Sequence, residues 1–169
     1  MIRPLDAADA AAFQALRLRG LRESPAAFGS TYEEEAGVPL NEIAARLAPG
    51  AGGEDVVFGV FADGDVLVGV AGLRREGHRK ARHRARVWGM YVAPEARGRG
   101  LGRALLEAVI AHARTLTGVE RLTLSVVPDN QAARSLYLRL GFVSFGVEPQ
   151  AYRLDGEYWD SEHMALVIG

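Results

Sequence analysis

The chain has 169 residues, 49% of them hydrophobic and 24% charged, which lets one globular domain bury an adequate core without metals or disulfides. The formal net charge of -1 excludes a general attraction to nucleic acid or anionic membranes, and the lack of cysteine excludes disulfides and thiolate chemistry. Because no apolar run approaches the ~20 residues that span a bilayer, we expect a single cytoplasmic domain over residues 1–169.

The first part of the chain predicts one strand followed by helices. Ile2 to Pro4 is a short strand candidate, and the apolar spacing of the following residues predicts a helix that ends at Ser24-Pro25. Residues 26 to 49 predict two short helices broken near Gly37, and a flexible glycine-rich loop begins at Pro49. Because these helices come early in the chain, we expect them to form a flap that faces the substrate.

The middle of the chain predicts three strands. Val56 to Phe61 and Val66 to Ala71 form a hairpin around the Asp63-Gly64 turn, and Val87 to Val92 is the third strand. Between them, Arg74 to Arg86 holds seven Lys or Arg residues and is too charged for the core. We expect a solvated turn with charged strand ends there.

The second half alternates helices and strands. The apolar positions of Gly100 to Thr115 lie on one side of a predicted helix. The remaining predicted elements are a strand at Leu122 to Val127, a helix from Asn130 to Leu140, and strands at Phe142 to Val147 and His163 to Ile168. Together the elements predict a mixed α/β (α+β) fold with a largely antiparallel sheet of six to seven strands flanked by helices.

The segment Arg97-Gly98-Arg99-Gly100-Leu101-Gly102 lies where the third strand passes into the long helix. Its glycines leave backbone N–H groups uncovered, and the helix directs the positive end of its dipole to the same place. Arg97, Arg99 and Arg103 could add charge, so the segment predicts a cradle for a phosphate or pyrophosphate. A plain tight turn with a solvated helix start is the alternative.

Two nucleotide-binding motifs fail on spacing. A Walker A loop needs Gly-Lys-Ser/Thr at its end, but Arg103-Ala104 follows Gly102. A dinucleotide fingerprint starting at Gly98 would need glycine at position 103, and one starting at Gly100 would need it at position 105, where Leu105 stands.

The spacing Arg97-x-x-Gly100-x-Gly102 resembles the acyl-CoA-binding signature of the GNAT superfamily of N-acyltransferases. Met90-Tyr91-Val92 resembles the family's central strand. Asn130-x-x-Ala133-x-x-Leu136-Tyr137-x-x-x-Gly141-Phe142 is similar to its second cofactor-facing motif. The resemblance implies acetyl-CoA as co-substrate, held by Met90, Tyr91, Val92, Arg97, Gly98, Arg99, Gly100, Leu101, Gly102, Arg103, Asn130 and Tyr137.

The resemblance also implies a mechanism in which an amine attacks the acetyl carbonyl directly through a tetrahedral intermediate. A backbone N–H between Met90 and Val92 would polarise the carbonyl. Tyr137 would act as the general acid that protonates the leaving thiolate. From the residues alone, Asn130 could instead only cap its helix, and Tyr137 could be an amphipathic core residue.

A general base is not evident in the sequence. An aliphatic amine has a pKa of ~10.4 and must lose a proton before it attacks, yet Val87 to Val92 contains no carboxylate or histidine. The weak candidates elsewhere are Glu33, Glu34, Glu35, His83, Asp160 and Glu162. For each of them, a solvated surface charge is the alternative explanation. His78, His83 and His163 lack zinc-ligand spacing, so we assign no metal.

The sequence says less about which acceptor receives the acetyl group. Ser24 to Phe28 and Tyr152 to Asp160 resemble segments of bacterial family members that acylate small amines or amino-acid-like compounds. We therefore expect N-acetylation of a small primary amine, with acetylation of a protein N-terminus or lysine as the alternative. A non-catalytic acyl-CoA sensor and nucleic-acid binding through Arg74 to Arg86 are hypotheses of other classes. We expect neither a nucleic-acid nor a membrane partner, and the family resemblance suggests a homodimer.

Overall fold

A computed structural model describes residues 1–48 and 50–169, so Pro49, where the expected glycine-rich loop begins, lies outside the described residues. The described strands are β1 (Ile2–Pro4), β2 (Asp55–Ala62), β3 (Val66–Arg75), β4 (Arg84–Val92), β5 (Arg121–Val126), β6 (Val143–Leu154) and β7 (Glu157–Val167). The described α-helices are α1 (Ala10–Glu23), α2 (Tyr32–Ala36), α3 (Leu40–Leu47), α4 (Leu101–Thr115) and α5 (Gln131–Arg139).

The strands form one sheet in the order β1-β2-β3-β4-β5-β7-β6. Neighbouring strands run antiparallel except β4 and β5, which are parallel. Helix α1 packs on β3 and α3, whereas α4 packs on β2, β3 and β4. This arrangement confirms the predicted mixed fold with a largely antiparallel sheet flanked by helices.

The core is supplied mainly by strand faces and by α4. Leu105, Leu106 and Val109 of α4 are fully buried, as its helical spacing predicts. They share the core with Leu73 of β3 and Leu122 of β5. In residues 1–48 and 50–169, every helix is too short or too polar to cross a lipid bilayer.

The predicted bounds of the last two strands are too short. β6 runs to Leu154 and β7 begins at Glu157, and the turn between them contains Asp155 and Gly156 at positive φ. The added residues form a hairpin whose side chains are mostly exposed, so they lack the apolar alternation that identifies a half-buried strand. The charged run forms a turn with charged strand ends, as expected, because Arg74 and Arg86 pair where β3 ends and β4 begins.

Candidate functional site

A cleft opens where the two parallel strands separate. Within the described residues, β4 and β5 pair from Arg84 with Arg121 to Arg86 with Thr123. Beyond this point, Val87–Val92 and Leu124–Val127 line opposite walls of a cavity of about 1100 Å³. The sheet therefore has a slot in its middle, and polar backbone edges of both strands face the slot.

A bulge at Gly89 interrupts the regular alternation of side chains along β4, so that Trp88 and Tyr91 lie on the same face of the sheet. The β3–β4 register shifts between Val70 and Gly72, and Gly89 has a φ of 63°, which favours glycine. A Cβ on Gly20 of α1 would lie 3.1 Å from the Tyr91 ring, whereas one on Gly102 of α4 would lie 3.4 Å from the Met90 methyl. Tyr91 therefore faces the α1 layer, and Met90 faces the α4 layer.

The glycine-rich segment forms one end of the cavity. Gly98 and Gly100 have φ angles of 76° and 75°, and Gly100 is the N-terminal cap residue of α4 without a side-chain capping bond. The first backbone bond of the helix is donated by Ala104 to the Gly100 carbonyl at 3.0 Å, so the three preceding N–H groups lie before the helical ladder. This geometry offers main-chain donors and a helix dipole to an anion.

The arginines of this segment are placed differently. Arg97 lines the cavity and donates from Nε to the Val92 carbonyl at 2.8 Å. Arg103 also lines the cavity and bonds Glu107 at 2.8 Å. Arg99 is exposed and lies outside the cavity wall in the described structure. Of the cofactor residues expected from the sequence, those in the wall are Met90, Tyr91, Val92, Arg97, Gly98, Gly100, Leu101, Gly102, Arg103, Asn130 and Tyr137.

Tyr137 lies in the cavity wall with only 7% of its surface exposed. Its hydroxyl is 3.6 Å from the Met90 sulfur, and its ring packs edge-on against Phe142. Burial raises the pKa of Tyr137 to about 12, so the hydroxyl keeps its proton at neutral pH. Asn130 also lines the cavity, and its side-chain oxygen accepts a capping bond from the Ala133 N–H at 3.2 Å.

The carboxylates singled out from the sequence have other partners. Glu34 accepts the Thr31 N–H at 2.7 Å as part of a capping box, and Asp160 accepts the Gln150 N–H at 2.8 Å. Glu33 and His83 are exposed. Across the described residues, none of the six base candidates lies in the cavity wall.

Glu35 and Glu162 are buried in ion pairs. Glu35 bonds Arg17 at 2.7 Å, and this bond lowers the pKa of Glu35. Glu162 bonds Arg134 at 2.7 Å, which likewise lowers the pKa of Glu162. Both carboxylates are therefore ionised and engaged, which weakens them as proton acceptors.

Sequence reasoning missed Glu23, a carboxylate in the cavity wall. The Tyr91 hydroxyl donates to it at 2.5 Å, and Arg19 donates to it at 2.8 Å. These bonds lower the pKa of Glu23, and burial with the same contact raises the pKa of Tyr91 to about 12. A glutamate in the last turn of a helix carries no sequence signal for such a contact.

A second missed feature is a chain of three side chains at the cavity edge. The Ser125 hydroxyl lies 3.0 Å from His163 Nδ1, and His163 Nε2 lies 3.2 Å from Glu148 Oε2. Ser125 lines the cavity, and it pairs directly with His163 across the β5–β7 ladder. The two residues are 38 positions apart, so only the strand pairing could have identified them.

Aromatic side chains surround the other end of the cavity. Phe28, Trp88 and Trp159 line it together with the short turn at Pro25–Ala27. The β6–β7 hairpin lies beside this end, because Trp159 lines the cavity and a Cβ on Gly29 would lie 3.7 Å from the Tyr152 ring. Both segments expected on the acceptor side therefore meet beside the slot.

Part of the basic run forms ion pairs with nearby acids. Arg74 bonds Asp55 at 2.8 Å, and Arg75 and Arg82 both bond Glu54. Such pairing reduces the positive potential that phosphate-backbone binding requires. Among residues 1–48 and 50–169, the His and acidic side chains form no group of three that could hold a metal ion.

Comparison with known proteins gives the family of this chain. Residues 21–142 match the family described as the acetyltransferase (GNAT) family, and the chain belongs to this family. It superposes on the GNAT-family acetyltransferase from Streptococcus pneumoniae with a TM-score of 0.89 and 26% identity, covering 100% of this chain and 99% of that chain. The match to yncA from Salmonella typhimurium, solved with its cofactor acetyl-CoA, has a TM-score of 0.81 and 25% identity, over 100% and 94% of the two chains.

Similarity in sequence is more local. The chain is 40% identical over 93 residues to the N-alpha-acetyltransferase RimI of Mycobacterium tuberculosis, covering 55% of this chain and 56% of that protein. The alignments with the first four curated relatives span 20 to 56% of those relatives' lengths.

Proposed function

We propose that this chain is a single N-acetyltransferase domain that transfers the acetyl group of acetyl-CoA to the primary amine of a small-molecule or amino-acid-like acceptor. The observation that carries the proposal is the slot between β4 and β5, which joins the anion cradle, Tyr137 and the aromatic end in one cavity. A relative of the same fold, yncA, is solved with acetyl-CoA as its cofactor.

Acetyl-CoA would bind with its pyrophosphate on the N–H groups at the start of α4 and with the arm that carries its thioester along the slot. The positive φ angles of Gly98 and Gly100, the uncapped helix start and the guanidinium groups of Arg97 and Arg103 support this placement. Arg99 and Asn130 stay in the proposed set, Arg99 as a more distant charge and Asn130 as a residue that both caps α5 and faces the donor.

The reaction would proceed by direct attack of the amine on the acetyl carbonyl. N–H groups on the open edge of β4, between Met90 and Val92, would polarise the carbonyl as the tetrahedral intermediate forms. The Tyr137 hydroxyl would protonate the sulfur as the C–S bond breaks, since a thiol with a pKa of ~8.5 leaves as a thiolate without a proton donor.

The aromatic end of the cavity supports a small acceptor. Tyr152 places the β6–β7 hairpin beside the loop at Gly29, next to this end. Phe28, Trp88 and Trp159 could pack against the carbon skeleton of an amine. A peptide N-terminus is the second candidate, favoured by the 40% identity to a protein N-alpha-acetyltransferase.

Calorimetry with acetyl-CoA, followed by a thiol-release screen, tests the proposal. The acceptors are spermidine, free amino acids and a short peptide with a free N-terminus. We expect acetyl-CoA binding and thiol release with a small amine. Release with the peptide alone would favour the second candidate, and binding without release for any amine would favour a sensor. Absence of binding at millimolar acetyl-CoA would contradict every one of these functions.

We further propose that the protein acts in the cytoplasm, where acetyl-CoA is abundant.

We also propose that two copies of the chain associate through β6. β6 is an edge of the sheet, and it exposes Val143, Phe145 and Val147 by 67%, 59% and 53%. A second copy would pair its own β6 with the free backbone edge and cover these side chains at once. Sedimentation should show a dimer that Phe145→Glu dissociates, and a wild-type monomer at high concentration would contradict the pairing.

A further inference from the structure

We propose that Ser125, His163 and Glu148 form a proton relay that deprotonates the acceptor amine on the face of the sheet opposite Tyr137. This inference rests on the proposed acetyl transfer and supplies the base that the sequence of β4 lacks. Ser125 would be the catalytic residue that touches the amine, whereas His163 and Glu148 are positioning residues that act through it.

The strand register places Ser125 at the closed end of the slot. The last paired residues are Arg86 and Thr123, and Trp88 and Ser125 each lie two positions further along their strands. Both line the cavity, so they face each other where the strands begin to separate. An arm that enters from the glycine-rich segment and ends beside the N–H groups between Met90 and Val92 would approach this position along the same cavity.

Alternation along β5 and β7 assigns the relay to one face. Leu122, Leu124 and Val126 are buried, whereas Ser125 between them is exposed. On β7, Glu162 bonds Arg134 of α5, and the next residue, His163, points the other way to Ser125. Tyr137 of α5 therefore lies on one side of the slot and the Ser125 hydroxyl on the other.

The hydrogen bonds fix the direction of proton movement. A carboxylate can only accept, so His163 Nε2 carries the proton that it donates to Glu148. In the neutral ring, Nδ1 is then an acceptor, and the Ser125 hydroxyl donates to it. The Phe145 ring stacks on His163, and Arg121 lies 5.2 Å from the centre of the Phe145 ring. This environment holds the imidazole in the orientation that can receive a proton from Ser125.

The proposed steps balance atoms and charges. An N–H bond of the ammonium breaks as its proton passes to Ser125 Oγ, while the original hydroxyl proton passes to His163 Nδ1. The freed electron pair on nitrogen forms the bond to the acetyl carbon. The C–S bond breaks with its electron pair on sulfur, which takes the Tyr137 proton, and the second proton lost from nitrogen returns to Tyr137. His163 then releases its proton to water, giving one proton for each ammonium acetylated.

The tautomer of His163 gives a test that does not depend on turnover. In a nitrogen-detected NMR spectrum of the neutral ring, we expect the proton on Nε2, as the contact with Glu148 requires. A dominant Nδ1–H tautomer in the wild-type protein would overturn the relay, because Ser125 would then lack an acceptor.

The kinetic test compares two acceptors that differ in protonation. Spermidine, or whichever alkylamine gives most thiol release, reaches the site as an ammonium ion at neutral pH, whereas methoxyamine is already unprotonated. With the alkylamine, Ser125→Ala and His163→Gln should lower kcat at least ~100-fold, the usual range for general base catalysis. With methoxyamine, both variants should retain wild-type kcat. A merely structural role would lower both rates together.

Two variants serve as controls. Ser125→Thr keeps a hydroxyl and should restore most of the alkylamine rate, and His78→Gln removes an exposed histidine elsewhere and should change nothing. An unchanged alkylamine rate in Ser125→Ala, or equal losses with both acceptors, would overturn the relay alone. A covalent acetyl-Ser125 in a trapping experiment would also overturn it. A wild-type protein that releases no thiol with any of the amines tested would overturn the proposed function and, with it, the relay.

Discussion

The donor side and the acceptor side of the cavity are held together in different ways. On the donor side, the glycine-rich segment, α4 and Tyr137 come from one stretch of chain, and backbone geometry supplies most of the binding groups. On the acceptor side, distant segments meet through side chains, as in Arg17 with Glu35, Ser125 with His163, and Gly29 beside Tyr152. Donor binding should therefore resist side-chain substitution more than the acceptor side does.

The largest effect is expected from the buried ion pair that anchors α2 to α1. Glu35→Ala leaves the part-buried Arg17 without its partner and should lower the free energy of unfolding by about 3 kcal/mol, the lower end of the range for breaking a buried pair. Because the pKa of Glu35 is lowered from 4.5, this stabilisation is present above pH 4.5 and disappears as the pH falls through the lowered value. Urea titrations at several pH values measure it.

Glu33→Ala is the matched control on the same helix, since Glu33 is exposed and should change the stability by less than about 0.5 kcal/mol. Equal stability of the two variants would contradict the view that long-range contacts hold the acceptor side.

Tyr137→Phe tests chemistry on the donor side. Removal of the hydroxyl should lower kcat by about 100-fold, the lower range for a general acid, while the affinity for acetyl-CoA stays the same. Calorimetry and initial rates measure the two quantities. Unchanged turnover would remove the acid role and leave Tyr137 as a core residue that packs against Phe142.

Gly100→Ala tests the contribution of backbone geometry. An alanine at a φ of 75° is strained by about 1–2 kcal/mol, and the strain should distort the helix start and weaken acetyl-CoA binding by roughly tenfold. Gly64→Ala introduces the same strain at the same φ in the β2–β3 turn, far from the cavity. Both variants should lose stability, but only Gly100→Ala should lose affinity. Equal affinities would show that the segment is only a turn.

The smallest effect is expected from a single exposed charge. Arg103→Ala should weaken acetyl-CoA binding about threefold, because an exposed ion contact contributes only ~0.2–1 kcal/mol and salt screens it. Arg99→Ala, which removes an arginine outside the wall, should have a still smaller effect. Calorimetry at two salt concentrations compares them, and a larger loss for Arg99 would reverse the assignment of these two side chains.

The contrast between the two sides also explains what the sequence could predict. The slot-forming strands, α4 and the cradle follow from hydrophobic periodicity and from the spacing of Arg97, Gly100 and Gly102, which are local signals. The Ser125–His163 contact follows from strand pairing, which a single sequence does not specify. The exposed part of the β6–β7 hairpin lacks a buried face, so its strands carry no clear alternation.

The bulge at Gly89 has a consequence for how the activity could diversify. The extra residue places Trp88 and Tyr91 together on the α1 side of the sheet, whereas Met90 and the Tyr137 hydroxyl lie on the α4 and α5 side. Because Phe28, Trp88 and Trp159 line the end of the cavity away from the glycine-rich segment, they can change without disturbing the residues on the Met90 side. The acceptor specificity can therefore change while the binding of the acetyl donor stays the same.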